Sequence, residues 1–150
     1  MITRGITKED FDQIVSVMDD WWGGPAGVRP LPIFYYEWGE FALIVEDAGS
    51  LAGFLLGFVT QKSPRTAYVH VIGIAPPYRR RGVGRMLYDE FARRGEAQGA
   101  SVMKAITTPG NEGNIEFHRA MGFSVVEDTD YAGPGRARFV FTRPLRGIAN

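Results

Sequence analysis

A basic glycine turn at residues 79–85, with the sequence R-R-R-G-V-G-R, carries the residue types best suited to binding chemistry. Gly82 and Gly84 would let an anion approach the backbone without a side chain in the way. A helix that begins here would add unpaired N–H groups and the positive end of its dipole. Arginine matches the geometry of phosphate groups. The turn therefore predicts a phosphate site, with a diphosphate as the expected ligand.

Three competing motif classes and a solvated surface fit the turn less well. A dinucleotide-binding G-x-G-x-x-G motif needs a third glycine at the position where this chain has Leu87. A P-loop ends in Gly-Lys-Ser/Thr, which the turn lacks. A nucleic-acid surface needs more basic area than a chain with 17 basic and 17 acidic residues supplies. Solvated arginines alone would put positive charge at the wrong end of the helix dipole, so an anion makes better sense there.

A strand and a helix must hold the turn in place. Residues 66–74 contain an apolar run that predicts a buried strand, and Pro76 and Pro77 end it. Apolar residues then recur at helix spacing, at Val83, Met86, Leu87 and Phe91. The unit is a strand, a basic turn and a helix that Gly99 terminates.

The rest of the chain predicts a mixed sheet. Further strands are predicted at residues 1–6, 41–45, 51–60, 101–107, 123–127 and 138–142. Further helices are predicted from an N-cap at Thr7 to Trp22, over a short stretch at 33–38, and from about residue 111 to Gly122. Hairpins early and β-α-β units later predict an α/β (α+β) fold with helices on both faces of the sheet.

The composition indicates one domain without cysteine chemistry. We expect a single domain over residues 1–150, because this length can bury one core. The absence of cysteine excludes disulfides, a thiolate zinc site and an acyl-cysteine intermediate, and two histidines alone make no metal site. The N-terminus has no apolar signal core and no apolar run could span a bilayer. We therefore expect a cytoplasmic protein without a membrane or nucleic-acid partner.

Two motifs resemble those of the GCN5-related N-acetyltransferase (GNAT) superfamily. Residues 79–84 match its R/Q-x-x-G-x-G/A signature. Asn111, Phe117-His118 and Met121-Gly122-Phe123 resemble its N-x-x-A/S-x-x-F-Y-x-x-x-G-F motif. The order of the predicted elements is also similar, so the resemblance covers nearly the whole chain. It implies the GNAT fold, with about seven mostly antiparallel strands and a splay between the fourth and fifth.

The resemblance also implies an acetyl-coenzyme A site. By position, the backbone of Ile72, Gly73 and Ile74 should pair with the pantetheine arm. The residues expected at the diphosphate are Arg79, Arg80, Arg81, Gly82, Val83, Gly84 and Arg85. The residues expected near the thiol half of the cofactor are Asn111, Phe117 and His118. The implied activity is direct transfer of the acetyl group to a primary amine in a ternary complex.

The proton transfers have three candidate residues. The family places an acidic tyrosine where this chain has His118, which could protonate the leaving thiolate, touch the cofactor or pack between helix and sheet. Asn111 and His118 lie roughly 10 Å apart on one helix face, so both can line one groove. Tyr68 and His70 share a strand face. His70 is the better base, and a satisfied histidine or a water chain is the alternative.

The acceptor site and the assembly are the least defined by the sequence. Five aromatic residues, interleaved with carboxylates, are candidates for a wall that suits a cationic acceptor or for a lid on the core: Trp21, Trp22, Phe34, Tyr35 and Trp38. A transferase with a longer acyl donor or a hydroxyl acceptor, and a non-catalytic acyl-CoA sensor, are the alternative functions. Family analogy makes a homodimer an additional expectation.

Overall fold

The computed structural model describes residues 1–145. In this part of the chain the order is β1 (Ile2–Gly5), α1 (Lys8–Trp22), α2 (Ile33–Tyr36), β2 (Leu43–Asp47), β3 (Ser50–Val59), β4 (Thr66–Ile74), α3 (Val83–Ala97), β5 (Val102–Thr107), α4 (Glu112–Ala120), β6 (Ser124–Asp128) and β7 (Arg138–Pro144). Short 3-10 turns at Gly39–Phe41 and Pro76–Tyr78 connect some of them.

The strands form one sheet in the order β1-β2-β3-β4-β5-β7-β6. Every neighbouring pair is antiparallel except β4 and β5, which are parallel. These two strands pair at three positions only, from Thr66 opposite Val102 to Tyr68 opposite Lys104. Beyond Tyr68 they diverge. The predicted mixed, mostly antiparallel sheet with a splay between its fourth and fifth strands is therefore confirmed.

Helices cover both faces of the sheet and bury two separate apolar clusters. On one face, Leu87 and Phe91 of α3 pack with strand residues such as Leu55. On the other face, Ile14 and Met18 of α1 pack with their own set of strand residues. We call these sides of the sheet the α3/α4 face and the α1/α2 face. Burial of each large apolar side chain contributes about 1.5–3 kcal/mol to folding.

Local sequence signals determine both ends of helix α1. The side chains of Thr7 and Asp10 each accept a hydrogen bond from the other residue's backbone N–H, which completes a capping box. Gly23 adopts φ +74° directly after Trp22 and terminates the helix in the left-handed conformation. The aromatic pair at residues 21 and 22 is thereby fixed at one end of the sheet.

A β-bulge in β4 reverses the alternation of its side chains. Leu56 lies opposite Val71 but Gly57 lies opposite Val69, so His70 is an extra residue without a partner on β3. As a result Val69 packs on the α3/α4 face and Val71 on the α1/α2 face, although they are two residues apart. Gly57 lies inside the strand predicted at residues 51–60, where a glycine indicates a bulge or a close contact, and the bulge occurs at this residue.

Two predicted boundaries differ from the structure. The strand predicted at 41–45 begins at Leu43, because residues up to Phe41 form a 3-10 turn. The helix predicted at 33–38 ends at Tyr36, where the N–H of Glu37 bonds to the carbonyl of Ile33 and the chain leaves the helix. Within residues 1–145, no helix has the length and apolar character to cross a membrane.

Candidate functional site

The gap between the diverging strands β4 and β5 forms a cavity of about 430 Å³. It passes through the sheet, because residues from both faces border it. From the α1/α2 face come Trp22, Gly27, Val28, Tyr68 and His70, and from the α3/α4 face come Tyr88, Asn111, Asn114 and His118. The ends of β5 and β7 add Thr107, Thr108 and Arg138. One opening in the sheet therefore joins six of the predicted site residues, which include the three candidates for proton transfer: Trp22, Tyr68, His70, Ile72, Asn111 and His118.

The C-terminal part of β4, from Ile72 to Ile74, leaves one backbone edge open toward this cavity. Ala75 donates its N–H to the carbonyl of Ala52 on β3, at 2.9 Å. Since successive N–H groups of a strand point to opposite sides, those of Ile74 and Ile72 point away from β3. The only side-chain bond to this edge among residues 1–145 runs from Nε of Arg79 to the carbonyl of Ile74, at 3.4 Å. An extended ligand could pair here as an added strand.

The basic turn has the backbone geometry of an anion site. Gly82 has φ +81° and Arg80 has φ +62°, so the chain turns sharply just before α3. No side chain caps the N-terminus of α3. The first-turn N–H groups therefore face outward together with the positive end of the helix dipole. This helix has 15 residues, so its dipole is well developed.

The arginines of the turn divide into two kinds. Nη2 of Arg79 donates to the carbonyl of Trp21 at 2.5 Å and ties the turn to α1. This use of the guanidinium argues against the prediction that Arg79 binds the diphosphate. Arg80, Arg81 and Arg85 are exposed, and the guanidinium of Arg81 lies 4.9 Å from the ring of Tyr78. These three remain candidates for phosphate binding.

Gly84 and Phe117 form a packing contact between α3 and α4. Gly84 is buried, and a Cβ at this position would lie 2.7 Å from the ring of Phe117. The absence of a side chain at Gly84 therefore allows close packing of the two helices, while its role in anion binding stays a prediction. Val83 is also buried in the core, so both residues can offer only their backbone N–H groups to a ligand.

His118 lies in the core with both ring nitrogens hydrogen-bonded. Nδ1 lies 2.8 Å from the carbonyl of Asn114, which can only accept, so Nδ1 carries the proton. Nε2 then accepts from the hydroxyl of Tyr88 at 2.7 Å. The ring stacks on Phe141 at 4.0 Å and is 2% exposed. Burial lowers the pKa of His118, so the neutral ring is favoured.

This arrangement argues against the prediction that His118 protonates the leaving thiolate. Its one ring proton is held by the Asn114 carbonyl, and its free electron pair is used by Tyr88. The alternative weighed from the sequence, a histidine packed between helix and sheet, matches the contacts. His118 therefore forms part of the cavity floor and positions Tyr88.

Asn111 stands at the N-terminus of α4, where the cavity begins. Its side-chain oxygen accepts the N–H of Asn114 at 3.2 Å and caps the helix. The amide nitrogen of Asn111 is not used by the cap. Both asparagines border the cavity. The position is therefore suited to a contact with the thiol half of the predicted cofactor.

His70 is held from two sides on the wall of the cavity. Its Nε2 lies 2.8 Å from the carbonyl of Arg29, so Nε2 carries the proton and Nδ1 keeps its electron pair. The ring stacks on Phe34 at 4.3 Å. Burial lowers the pKa of His70, which keeps the ring neutral near pH 7. Among the described residues Nδ1 has no hydrogen-bond donor, and it can accept a proton.

Tyr68 lies on the same face as His70, as the strand alternation predicts. Burial, with a smaller effect of Tyr131, raises the pKa of Tyr68 to about 12. The hydroxyl therefore stays protonated at neutral pH and can donate but not act as a base. This argues against the candidate role of Tyr68 in accepting a proton.

The aromatic segment is mostly packing. Of the five aromatic residues predicted to bind the acceptor, only Trp22 borders the cavity. Phe34 is buried behind His70, and Trp38 stacks on Phe58 at 4.4 Å. Trp21 lies 5.7 Å from Phe54 and Tyr35 lies 6.0 Å from Phe11. Trp21, Phe34 and Trp38 therefore belong to the α1/α2 cluster, whereas Tyr35 packs beside α1, and none of the four borders the cavity.

Several residues that border the cavity were not predicted as site residues from the sequence. Thr107, Thr108 and Arg138 follow no motif, and only the divergence of β4 and β5 brings them to the cavity. Asn114 lies within the motif that begins at Asn111, at its A/S position, and was not singled out. Tyr88 was expected to pack in the core, and it is fully buried, but its hydroxyl also contacts His118. The described residues contain no group of three or more acidic, histidine or cysteine side chains that could hold a metal ion.

Known proteins share this architecture. The family model described as "Acetyltransferase (GNAT) family" matches residues 11–123. The L-2,4-diaminobutyric acid acetyltransferase of Nocardia farcinica is 27% identical over 79 residues, which are 53% of this chain and 41% of that protein. The corresponding enzyme of Shouchella clausii is 26% identical over 57% of this chain and 48% of its own length. The matches thus span less than half the length of these curated relatives.

Solved structures show the same fold at low sequence identity. Naa20 of Chaetomium thermophilum, in complex with a bisubstrate analogue, has a TM-score of 0.78 and 21% identity, over 97% of this chain and 87% of that chain. The yncA protein of Salmonella typhimurium, solved with acetyl-CoA, has a TM-score of 0.77 and 18% identity, over 99% of this chain and 96% of that chain. With the family match over most of its length, the chain belongs to the GNAT acetyltransferase family.

Proposed function

We propose that this protein is an acetyl-CoA-dependent N-acetyltransferase that moves the acetyl group to a primary amine by direct attack in a ternary complex. The observation that carries the proposal is the continuity of two features. The open backbone edge of β4 leads directly to the uncapped N-terminus of α3. An extended arm that ends in a diphosphate fits this path, and relatives solved with acetyl-CoA or coenzyme A support it.

The described residues fit acetyl-CoA, which supplies an acetyl group activated as a thioester. Arg80, Arg81 and Arg85, with the first N–H groups of α3, would hold the diphosphate. The N–H groups of Ile72 and Ile74 would pair with the pantetheine arm and stabilise negative charge on the thioester oxygen. Asn111 would orient the arm from the other side of the cavity, where its amide nitrogen is available.

His70 is the proposed general base. Its Nδ1 can accept a proton from the attacking amine, directly or through one water, while the bond to the Arg29 carbonyl and the stack on Phe34 fix the ring. The proton can then leave to solvent, because the neighbouring loop and Trp22 are exposed. Tyr68 stays protonated beside it and can donate to the acceptor.

The curated relatives support an amine acceptor. By name they acetylate L-2,4-diaminobutyric acid, which carries two amino groups. The structural neighbours include ribosomal-protein-alanine and aminoglycoside 6'-N-acetyltransferases, whose names also describe transfer to nitrogen. The cytoplasmic location, the single domain and the homodimer stay predictions.

The deciding experiment measures release of coenzyme A from acetyl-CoA by the purified protein with a panel of amines and peptides. We expect release that depends on the acceptor, and a mass increase of one acetyl group on that acceptor. Release with alcohols only, or with longer acyl-CoA donors only, would favour the alternative acyltransferases.

A non-catalytic acyl-CoA sensor is the second candidate, and one observation favours it. The family's tyrosine position is occupied by His118, whose ring nitrogens are both engaged. Saturable binding of acetyl-CoA without acceptor-dependent release across the whole panel would establish the sensor and contradict the enzyme.

A further inference from the structure

The acceptor side of the cavity carries positive charge without a partner. On β5, Met103 and Ala105 are buried on the α3/α4 face, so Lys104 and Ile106 point to the opposite face. On β7, Phe141 is buried on the α3/α4 face, so Arg138 also lies on the α1/α2 face. In the described part of the chain, residues 1–145, no helix covers this end of that face, because α1 and α2 pack over β2, β3 and β4.

Arg138 is available for a ligand. Its Nη1 donates to the carbonyl of Ala137 at 2.8 Å, and the remaining guanidinium N–H groups have no bond to the described residues. Asp128 stands opposite Arg138 on β6, but no ion pair forms within 4.0 Å. One carboxylate oxygen of Asp128 instead accepts the N–H of Asp130, at 3.1 Å. Arg138 therefore borders the cavity and keeps guanidinium N–H donors that no described residue accepts.

Lys104 and Tyr131 extend the same surface. The ammonium nitrogen of Lys104 lies 5.0 Å from the ring centre of Tyr131, in the β6–β7 connection. Lys104 has no acidic partner within the described residues either. Lys104 also lies opposite Tyr68 in the β4–β5 pairing, so this charge sits beside the cavity wall.

The lining of the cavity contains no carboxylate side chain at all among the described residues. Arg138 is the one lining residue there with a permanent charge. A cationic acceptor would meet repulsion from Arg138 and find no acid to pair with, which argues against the cation that the acidic and aromatic residues at 19–40 predict. An anionic group would meet a fork of N–H donors.

We propose that the acceptor is a small amino acid-like amine whose carboxylate is bound by Arg138, with Lys104 adding positive charge beside it. The amine then points toward His70, because His70 and Arg138 border the same cavity from β4 and β7. The inference rests on the proposed N-acetyltransferase function and adds the chemical class of its acceptor. Arg138 acts in binding and takes no part in proton transfer.

The test compares acceptors in matched sets. Each amino acid of a panel, including L-2,4-diaminobutyric acid, is assayed beside its decarboxylated amine and its carboxamide by release of coenzyme A. For the best amino acid we expect kcat/KM to be at least about tenfold higher than for its decarboxylated amine and for its carboxamide. The reason is that a charge-assisted hydrogen-bond pair to the carboxylate increases affinity by about that factor or more.

Substitutions of Arg138 distinguish a role in acceptor binding from a role in folding. Arg138→Gln should raise KM for the amino acid about tenfold or more with little change in kcat, because the carboxylate contact is made before and during the reaction. It should leave kcat/KM for the decarboxylated amine unchanged or higher, and Arg138→Lys should restore part of the loss. Arg136→Gln, on the exposed loop just before β7 and outside the cavity lining, is the matched control and should change neither value.

The outcomes are distinct. Equal or better turnover of decarboxylated amines, or an equal loss for both acceptor types in Arg138→Gln, overturns the carboxylate site and leaves the acetyltransferase intact. Absence of acceptor-dependent release with every amine, carboxylated or not, overturns the proposed function and this inference with it.

Discussion

The two histidines of this chain differ in which ring nitrogen is free. His70 is bonded through Nε2 to a carbonyl, and its Nδ1 has no hydrogen-bond partner among the described residues, whereas His118 uses both nitrogens inside the core. Both have a lowered pKa through burial, and both are therefore neutral near pH 7. Only the first has the free electron pair that a base requires. His70 is therefore the proposed base, whereas the contacts of His118 are those of a core residue.

Replacement of His70 should change the pH dependence of turnover. A base must be unprotonated, so kcat should fall as the pH drops through the pKa of His70, which lies below its ordinary value of 6.5. His70→Gln should lower kcat about 100-fold or more and remove this acid-side inflection. The measurement is kcat against pH between 5 and 9 at saturating substrates. A variant that keeps the inflection and the rate would exclude His70 as the base.

Replacement of His118 should cost stability more than chemistry. His118→Phe leaves the hydroxyl of Tyr88 buried without an acceptor, which costs about 1–3 kcal/mol of unfolding free energy. The double variant Tyr88→Phe/His118→Phe removes both polar groups and should recover part of that loss. Denaturant unfolding of Tyr88→Phe, His118→Phe and the double variant measures the coupling. Additive losses would show that the bond between the two side chains contributes nothing.

The same histidine should make the fold sensitive to acid. Because the folded-state pKa of His118 is lowered from 6.5, the unfolded chain binds the proton more readily. The free energy of unfolding should therefore be unaffected by this group above about pH 6.5 and fall as the pH drops below it. In the double variant this slope should be shallower. An unchanged slope would show that His118 titrates alike in both states.

At the scale of elements, the contact between α3 and α4 depends on a missing side chain. Gly84→Ala would place a Cβ 2.7 Å from the ring of Phe117, so one of the two helices must move. We expect a loss of about 1–3 kcal/mol of unfolding free energy. Gly113→Ala is the matched control, because a Cβ there meets open space within α4. The control should be neutral or stabilising by up to about 1 kcal/mol.

The turn before α3 should govern affinity for the cofactor. Arg81→Gln and Arg85→Gln should each weaken binding of coenzyme A about tenfold, and the loss should shrink as salt is raised. Arg93→Gln, on the same helix but paired with Glu90, is the control. Titration calorimetry at two salt concentrations checks this. Equal affinities for all variants would show that the helix N-terminus binds without these side chains.

The elements were largely predictable, because their signals are local. The capping box of α1, the glycine after Trp22 and the strand at Thr66–Ile74 follow from neighbouring residues. The bulge at His70 was predictable only in part, because Gly57 inside a strand indicates a bulge or a close contact but does not identify the extra residue on β4. It depends on how Leu56 and Gly57 of β3 meet β4, where a Cβ on Gly57 would lie 2.4 Å from the carbonyl of Tyr68. The glycine indicates that a close contact exists, but its partner on β4 follows only from the pairing of the two strands.

At the scale of the whole molecule, the candidate site lies in the cavity that forms where β4 and β5 diverge. The residues of the basic turn are contiguous, so the sequence could predict them as a unit. Arg138 and Thr108 reach the same cavity only through sheet order, since β7 lies beside β5. Residues that meet through topology carry no shared motif. For this reason the basic turn could be predicted as one candidate site, whereas Arg138 and Thr108 could not be predicted as neighbours of His70.

The open edge of β4 has a consequence for the exchange of amide hydrogens with deuterium. In the free protein, the amide of Ala75 is bonded to β3 and should exchange slowly, whereas those of Ile72 and Ile74 face the gap and should exchange fast. Protection should thus alternate along a single strand. Addition of coenzyme A should slow the fast set and make the strand uniform, residue by residue, in an NMR exchange experiment. Unchanged exchange at Ile72 and Ile74 would show that the ligand does not pair with this edge.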